Sequence, residues 1–231
     1  MKIKRLLIIP ARSGSKRIKN KNIKNFVGKP MIYYPINTAI KSKLFTKIHV
    51  STNSKKISKL AESFGVMNDF YRPKNLSNDK ASLFRVYKFV VNNYLLLGQK
   101  FDEVWCILPC SPFLDKNDLV SISNKSKKLK KPILTISPYP APLNWSFEVK
   151  KHRVMNVNQK KMRNDKLSKK KHFYDAGQVY CLPSHYLNKK NFNFKDNIST
   201  YELPLVKSVD IDTVEDWKLA ETIYRGMYSK K

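Results

Sequence analysis

The sequence predicts an α/β fold, a Rossmann-like doubly wound and mainly parallel sheet with a small irregular arm or lid. Three observations predict it. Short apolar runs alternate with segments of helical spacing over the first two-thirds of the chain. The apolar runs read as strands buried on both faces, as parallel sheets require. Gly65, Pro73 and Gly98 punctuate the joints. The 231 residues suit one domain spanning 1–231. In such sheets crossovers are right-handed and ligands sit at the carboxyl ends of the strands.

The elements follow in order. Leu6-Leu7-Ile8-Ile9 reads as a buried strand. Met31 to Lys41 has helical apolar spacing, and Lys47 to Thr52 reads as a second strand. Ser54 to Phe64 reads as an amphipathic helix ended by Gly65. An extended piece from Asp69 to Arg72 stops at Pro73, and Ser82 to Leu97 reads as a long helix ended by Gly98. Glu103 to Leu108 reads as a strand, Asp115 to Lys130 as a helix and Ile133 to Ser137 as a strand. The rhythm breaks from Tyr139 to His172, where only Trp145–Val149 and Val154–Val157 look strand-like. That stretch suits an arm, a lid or a dimer contact. Regular structure returns at Ala176–Leu182 and Leu205–Asp212. Thr213 caps a last helix to about Tyr228, with Asp216 in the place of the usual glutamate of a capping box.

Composition excludes several classes. No apolar run approaches the roughly 18 to 20 residues that span a bilayer. The apolar run near the N-terminus is too short for a signal peptide and is followed at once by Arg12, Lys16 and Arg17. A cytoplasmic protein with no membrane partner is expected. Three cysteines argue against a disulfide framework. Cys106 and Cys110, read as one strand, would stand about 13 Å apart, too far for a bridge. Free buried thiols are expected. The four histidines show no metal-ligand spacing. A net charge of +29 alone suggests nucleic acid or an anionic surface as partner. The lysines, however, run along the whole chain, as an AT-rich gene would give. No arginine-rich arm or aromatic–basic motif concentrates them. We expect a general attraction for anionic substrates and no specific nucleic acid. A basic nucleic-acid-binding protein is the alternative from another class, and a non-catalytic binding module is a third.

Two segments point to chemistry. Pro10-Ala11-Arg12-Ser13-Gly14-Ser15-Lys16-Arg17 follows the first strand, with Lys21-Asn22 within reach. Gly14 and the small serines let backbone N–H groups approach an anion, and the cations suit the triphosphate of a nucleotide. The loop lacks both the Walker A spacing and the Gly-x-Gly-x-x-Gly fingerprint. Asp210-Ile211-Asp212, read near a strand end, would place two carboxylates on one face about 7 Å apart. Two hard oxygen donors suit Mg²⁺, which keeps waters and substrate phosphates as further ligands. The same spacing also suits an Asp212 that only helps start the last helix. A third segment, Phe173 to Tyr180, mixes aromatic, acid and amide groups around Gly177. It reads as a binding surface for a polyhydroxylated ligand or as an ordinary strand entry.

The combination resembles the CMP-sialic acid synthetase family, the cytidylyltransferases that activate nine-carbon acidic sugars. Beyond the loop, the matching residues are Gly28-Lys29-Pro30-Met31-Ile32, Val50-Ser51-Thr52, Tyr71-Arg72-Pro73, Leu108 to Phe113 and Val209 to Thr213. Asp175-Ala176-Gly177-Gln178 is closest to the pseudaminic acid cytidylyltransferase branch. The resemblance implies a nucleotide-diphospho-sugar transferase type of sheet and transfer of CMP from CTP to a nonulosonic acid. Pseudaminic acid is the expected acceptor, with N-acetylneuraminate, legionaminate or another ulosonic acid as alternatives. It further implies that Arg12, Ser15, Lys16 and Lys21 hold the phosphates and Asn22 the ribose or base. Arg72 and Ser82 would contact the nucleotide, and Asp210 and Asp212 would bind Mg²⁺. Arg163, Gln178 and Tyr180 fall where the acidic sugar is expected. Arg12, Lys21 and Asp212 are the expected catalytic residues. A homodimer is implied, with residues 139–175 as a dimerisation or sugar-site insertion. Family members often carry Gln, Thr and Arg where this chain has Leu108, Cys110 and Leu114.

Overall fold

A computed structural model of the protein describes residues 3–156, 171–188 and 198–228. Strand β1 (Arg5–Pro10) is buried at every position, which explains its uninterrupted apolar run. Two short strands, β2 (Asn25–Phe26) and β3 (Lys29–Pro30), form a tight hairpin after the basic loop. Helix α1 (Tyr33–Ser42) leads to β4 (Lys47–Ser51), and α2 (Lys55–Glu62) follows. Ser54 caps α2 by accepting the Ile57 N–H at 3.4 Å, and Gly65 ends it at φ +84°. Next come α3 (Leu83–Leu96), β5 (Glu103–Ile107), α4 (Lys116–Leu129) and β6 (Ile133–Pro138). Asp115 and Asp118 form a capping box at the start of α4. Among the described residues, strands β7 (Phe147–Lys150) and β8 (Arg153–Asn156) pair only with each other. Then come β9 (Phe173–Pro183), β10 (Ser199–Glu202) and α5 (Val214–Tyr228). The expected box at α5 is present: Asp216 accepts the Thr213 N–H at 2.7 Å, and Thr213 Oγ1 accepts the Asp216 N–H at 3.2 Å.

The main sheet runs β10-β6-β9-β5-β1-β4. Its pairings are parallel except where β9 lies antiparallel between β5 and β6. The mainly parallel sheet is thus as expected, with one reversed strand at its centre. Leu7, Ile9, Trp105 and Ile107 face α1, α2 and α4, while Leu6, Ile8, Val104 and Cys106 face α3. A third cluster joins Ile18, Phe26 and Met31 to Ile211, Trp217 and Ala220. It ties the loop after β1 to the chain before α5.

Three expectations change. Cys110 lies beyond β5, which ends at Ile107, so it does not share a strand with Cys106. It is also only partly buried, whereas Cys106 and Cys181 are buried; all three are free. Residues 208–212 form no strand, because a 3₁₀ turn at Leu205–Lys207 and the cap of α5 leave only irregular extended chain between them. Ile211 is nonetheless buried between two more accessible aspartates, so the in–out alternation persists. Leu114, where the family resemblance suggests an arginine near the site, is core: it joins the apolar cluster of α1 and α4, and its carbonyl accepts from Thr38 Oγ1 at 2.9 Å.

A buried network fixes the chain just before Arg72. Tyr94 donates to Asp69 Oδ2 and lies 3.1 Å from His49 Nδ1, while Lys47 pairs with the same Asp69 at 2.6 Å. His49 stacks on Phe70 with ring centroids 4.4 Å apart. Burial pushes the His49 imidazole from 6.5 down to about 4, against the pull of Asp69. The unfolded chain therefore binds a proton that the folded chain refuses within that window. Stability from this site is fully present above pH 6.5 and falls as pH drops toward 4. His49→Phe, which keeps the stacked ring, is expected to flatten this dependence. Urea midpoints at about pH 7 and about pH 5 check it.

Candidate active site

The loop leaves β1 still attached to the sheet, since the Ala11 N–H bonds to the Ser51 carbonyl at 3.0 Å. Gly14 takes φ +90°, with open space where a Cβ would stand, so backbone conformation rather than crowding calls for glycine. The Ser13 N–H donates to Asn53 Oδ1 at 3.0 Å. Asn22 is buried and donates from Nδ2 to the Arg12 carbonyl at 2.9 Å, closing the loop on itself. Ile18 and Ile211 sink into the same apolar cluster. That packing brings the two aspartates flanking Ile211 to the loop across some 190 residues of chain.

A cavity of about 410 Å³ results, lined by Arg12, Ser15, Lys16, Arg17, Lys21, Asn22, Asp79 and Asp212 with Pro10 and Ile18. Six of the expected site residues meet there. Lys21 donates to the Ile211 carbonyl at 2.7 Å and to Asp212 Oδ1 at 3.1 Å. Arg17 pairs with Asp212 Oδ2 at 2.8 Å. Arg12 pairs with Asp79 Oδ1, and Lys16 with Asp79 Oδ2 at 2.8 Å. Arg72 is buried, and its Nε and one terminal nitrogen have no partner among the described residues. Burial, then the nearby Arg12 charge, lowers its pKa to about 10. An unsatisfied buried guanidinium beside a basic loop is a strong demand for an acceptor.

Asp210 forms no hydrogen bond or ion pair among the described residues. Its carboxyl pKa is raised by burial and by the charge of Asp212. Two carboxylates that repel one another suit a hard divalent cation completed by water and phosphate oxygens. No third histidine, cysteine or acid joins them among the described residues. Cys110 sits within the influence of Lys21, Asp210 and Asp212; although the residue is only partly buried, desolvation of its thiol pushes the pKa up to about 11.

The expected sugar residues lie on β9. The register shifts between Leu134 and Ile136, so Asp175 to Gln178 sits at a β-bulge, a device that re-aims side chains. Asp175 Oδ1 accepts the Gly177 N–H at 2.9 Å, and Asp175 Oδ2 accepts from Tyr180 Oη at 2.8 Å. Burial, then Asp175, raises the Tyr180 pKa, and Asp210 adds to the shift. Gln178 is buried with Oε1 unpartnered among the described residues. Ser82 is exposed and caps α3 by accepting the Arg85 N–H at 3.4 Å; it does not line the cavity. Arg163 lies outside the described residues. Sequence reasoning missed Asp79. Its only signal was scarcity, an acid between Arg72 and Ser82 in a chain with 17 acidic and 46 basic residues.

Comparison with known proteins fits this geometry. Residues 6–230 match the family described as cytidylyltransferase. A pseudaminic acid cytidylyltransferase of Campylobacter jejuni is 33% identical over 229 residues, covering 96% of this chain and 97% of that protein. A CMP-N,N'-diacetyllegionaminic acid synthase of Legionella pneumophila is 28% identical over 233 residues, covering 94% and 95%. A solved CMP:2-keto-3-deoxy-manno-octonic acid synthetase complexed with CTP superposes with a TM-score of 0.71, covering 97% and 99%. At 16% identity that likeness shows the fold alone. No described helix is long and apolar enough to cross a membrane. A family match over almost the whole chain, on a sheet of this topology with a basic loop closing on paired aspartates, establishes that the chain belongs to the cytidylyltransferase family and is a nucleotidyltransferase.

Proposed function

We propose that the protein transfers CMP from CTP to the anomeric hydroxyl of pseudaminic acid and releases pyrophosphate. The observation that carries the reaction is the single cavity in which Arg12, Lys16, Arg17 and Lys21 meet Asp212. The acceptor rests on likeness to the Campylobacter enzyme over 96% of the chain and on Asp175 to Gln178.

In this reading the sugar oxygen bonds to the α-phosphorus as the bond to pyrophosphate breaks, and the hydroxyl proton passes to solvent water. Such chemistry is mostly positioning and charge neutralisation. Arg12 and Lys16 supply donors beside Asp79, and Arg17 and Lys21 beside Asp212. Lys21 is held in place by the Ile211 carbonyl. Arg72, close enough to Arg12 to feel its charge, offers two nitrogens unpaired among the described residues. Tyr180 keeps its proton on Oη, directed at Asp175, and Cys110 stays a neutral thiol, so neither is a base at neutral pH. Asp210 and Asp212 would hold Mg²⁺, which when bound neutralises phosphate charge and lowers the pKa of a coordinated hydroxyl.

A cytoplasmic homodimer belongs to the same proposal. The β7–β8 hairpin exposes Phe147, Val149, Val154 and Met155, with Trp145 exposed in the turn before it, and a two-stranded hairpin unpaired to other described strands is marginal in water without cover. The test is pyrophosphate release across nucleotides and sugar acids, with magnesium present or chelated. Release is expected with CTP, magnesium and pseudaminic acid. A preference for N-acetylneuraminate or legionaminate would move the acceptor. Nucleotide binding without release for any acid would make the protein a binding module. Tight, salt-sensitive nucleic-acid binding without release would reverse the assignment.

A further inference from the structure

Two carboxylates line the phosphate cavity, Asp212 and Asp79. Asp212 belongs to the metal pair. Asp79 has no part in that chemistry, yet it engages two of the cations on which phosphate binding depends. Both of its oxygens are used, Oδ1 by Arg12 and Oδ2 by Lys16. A carboxylate bridging two cations in this way presents them with the charge and oxygen spacing of a phosphate edge. Asp79 reaches them from the turn after the 3₁₀ segment Lys74–Leu76. That turn is held without the Asp79 side chain. Ser77 Oγ donates to the Pro73 carbonyl at 2.9 Å, and Asn78 Oδ1 accepts the Lys80 N–H at 2.9 Å.

We propose that Asp79 is a built-in counter-ion, a carboxylate that occupies a phosphate position in the nucleotide-free protein and competes with the incoming nucleotide for Arg12 and Lys16. The inference rests on the reading of this cavity as a phosphate site. Lys16, then Arg12, holds the Asp79 carboxyl near pKa 2, so protonation does not free the cations at working pH. Only a competing anion does. The Asp79 side chain is 51% exposed, and ion pairs in contact with water are weak enough to be exchanged. The carboxylate has two consequences. It neutralises Arg12 and Lys16 before nucleotide arrives, and it takes them back as pyrophosphate leaves.

The test is calorimetric titration of Asp79→Asn and the unaltered protein with inorganic tripolyphosphate and with CTP, without metal. The variant is expected to bind both about three- to tenfold tighter, the scale of two exposed ion pairs, and the gain is expected to shrink as salt rises. Pyrophosphate is expected to inhibit the variant more strongly by a similar factor. Equal or weaker binding by the variant, with the unaltered protein binding normally, would overturn the counter-ion and leave the phosphate site standing. If neither protein bound either ligand, the phosphate site itself would fail and the counter-ion with it.

Discussion

Asp212→Ala is expected to lower CTP-dependent pyrophosphate release about a hundredfold or more while the protein stays folded. Asp212 is the point where the two ends of the chain meet. Its carboxylate takes Lys21 on one oxygen and Arg17 on the other, and its charge raises the pKa of Asp210. Removing it takes away half of the proposed metal pair and frees two cations to sit wrongly against phosphate. The fold does not need it. The cap of α5 is made by Thr213 and Asp216, and the Asp212 contribution to that cap is its backbone N–H, 3.0 Å from Asp216 Oδ2. The stability change is therefore expected to be about 1 kcal/mol or less. Asp212→Asn, similar in size but uncharged, is expected to fail as badly. Asp210→Ala is expected to lose a comparable factor, and the double variant little more, because the two act as one unit. Turnover at saturating CTP and acid, beside a urea midpoint, checks both halves.

Arg72→Met is expected to move affinity and stability in opposite directions. Arg72 is 6% exposed, and two of its guanidinium nitrogens have no partner among the described residues. Holding that charge out of water, beside Arg12, costs the nucleotide-free protein stability. Methionine fills similar space without the charge, so the variant is expected to be as stable as the original or more so. With nucleotide present the sign reverses, because the ligand loses charge-assisted hydrogen bonds in a buried site. A loss in CTP affinity of about tenfold to a hundredfold is expected. Lost stability together with unchanged CTP affinity would make Arg72 a structural residue. Calorimetric titration with CTP and a urea midpoint read the two effects separately.

Local signals made much of the fold legible. Ser54, Asp115 and the Thr213–Asp216 box start helices where their side chains accept the expected N–H groups, and Gly65 ends α2 in the left-handed conformation. What sequence alone could not reach depends on long connections. The reversed direction of β9 follows from where the chain re-enters the sheet, which no periodicity records. Strand β10 is only four residues long, with every second residue exposed, and it carries no apolar run. Asp210 to Asp212 kept the alternation of a strand without being one, because Ile211 is drawn into the cluster of Ile18 and Trp217. The site was legible where charge was dense, from Arg12 to Lys21. It was not legible at Asp79, a single acid in a polar turn whose meaning comes only from facing Arg12 and Lys16.

The central claim is that the loop after β1 and the aspartates before α5 are two halves of one metal–triphosphate site. A crystal grown with CTP and Mn²⁺ in place of Mg²⁺, with the metal located by anomalous scattering, tests it most directly. The expected result is a metal peak shared by the Asp210 and Asp212 carboxylates and phosphate oxygens, with the triphosphate against Arg12, Lys16 and Lys21. A metal bound away from those two aspartates, or a triphosphate lying off the Pro10 to Asn22 loop, would contradict it.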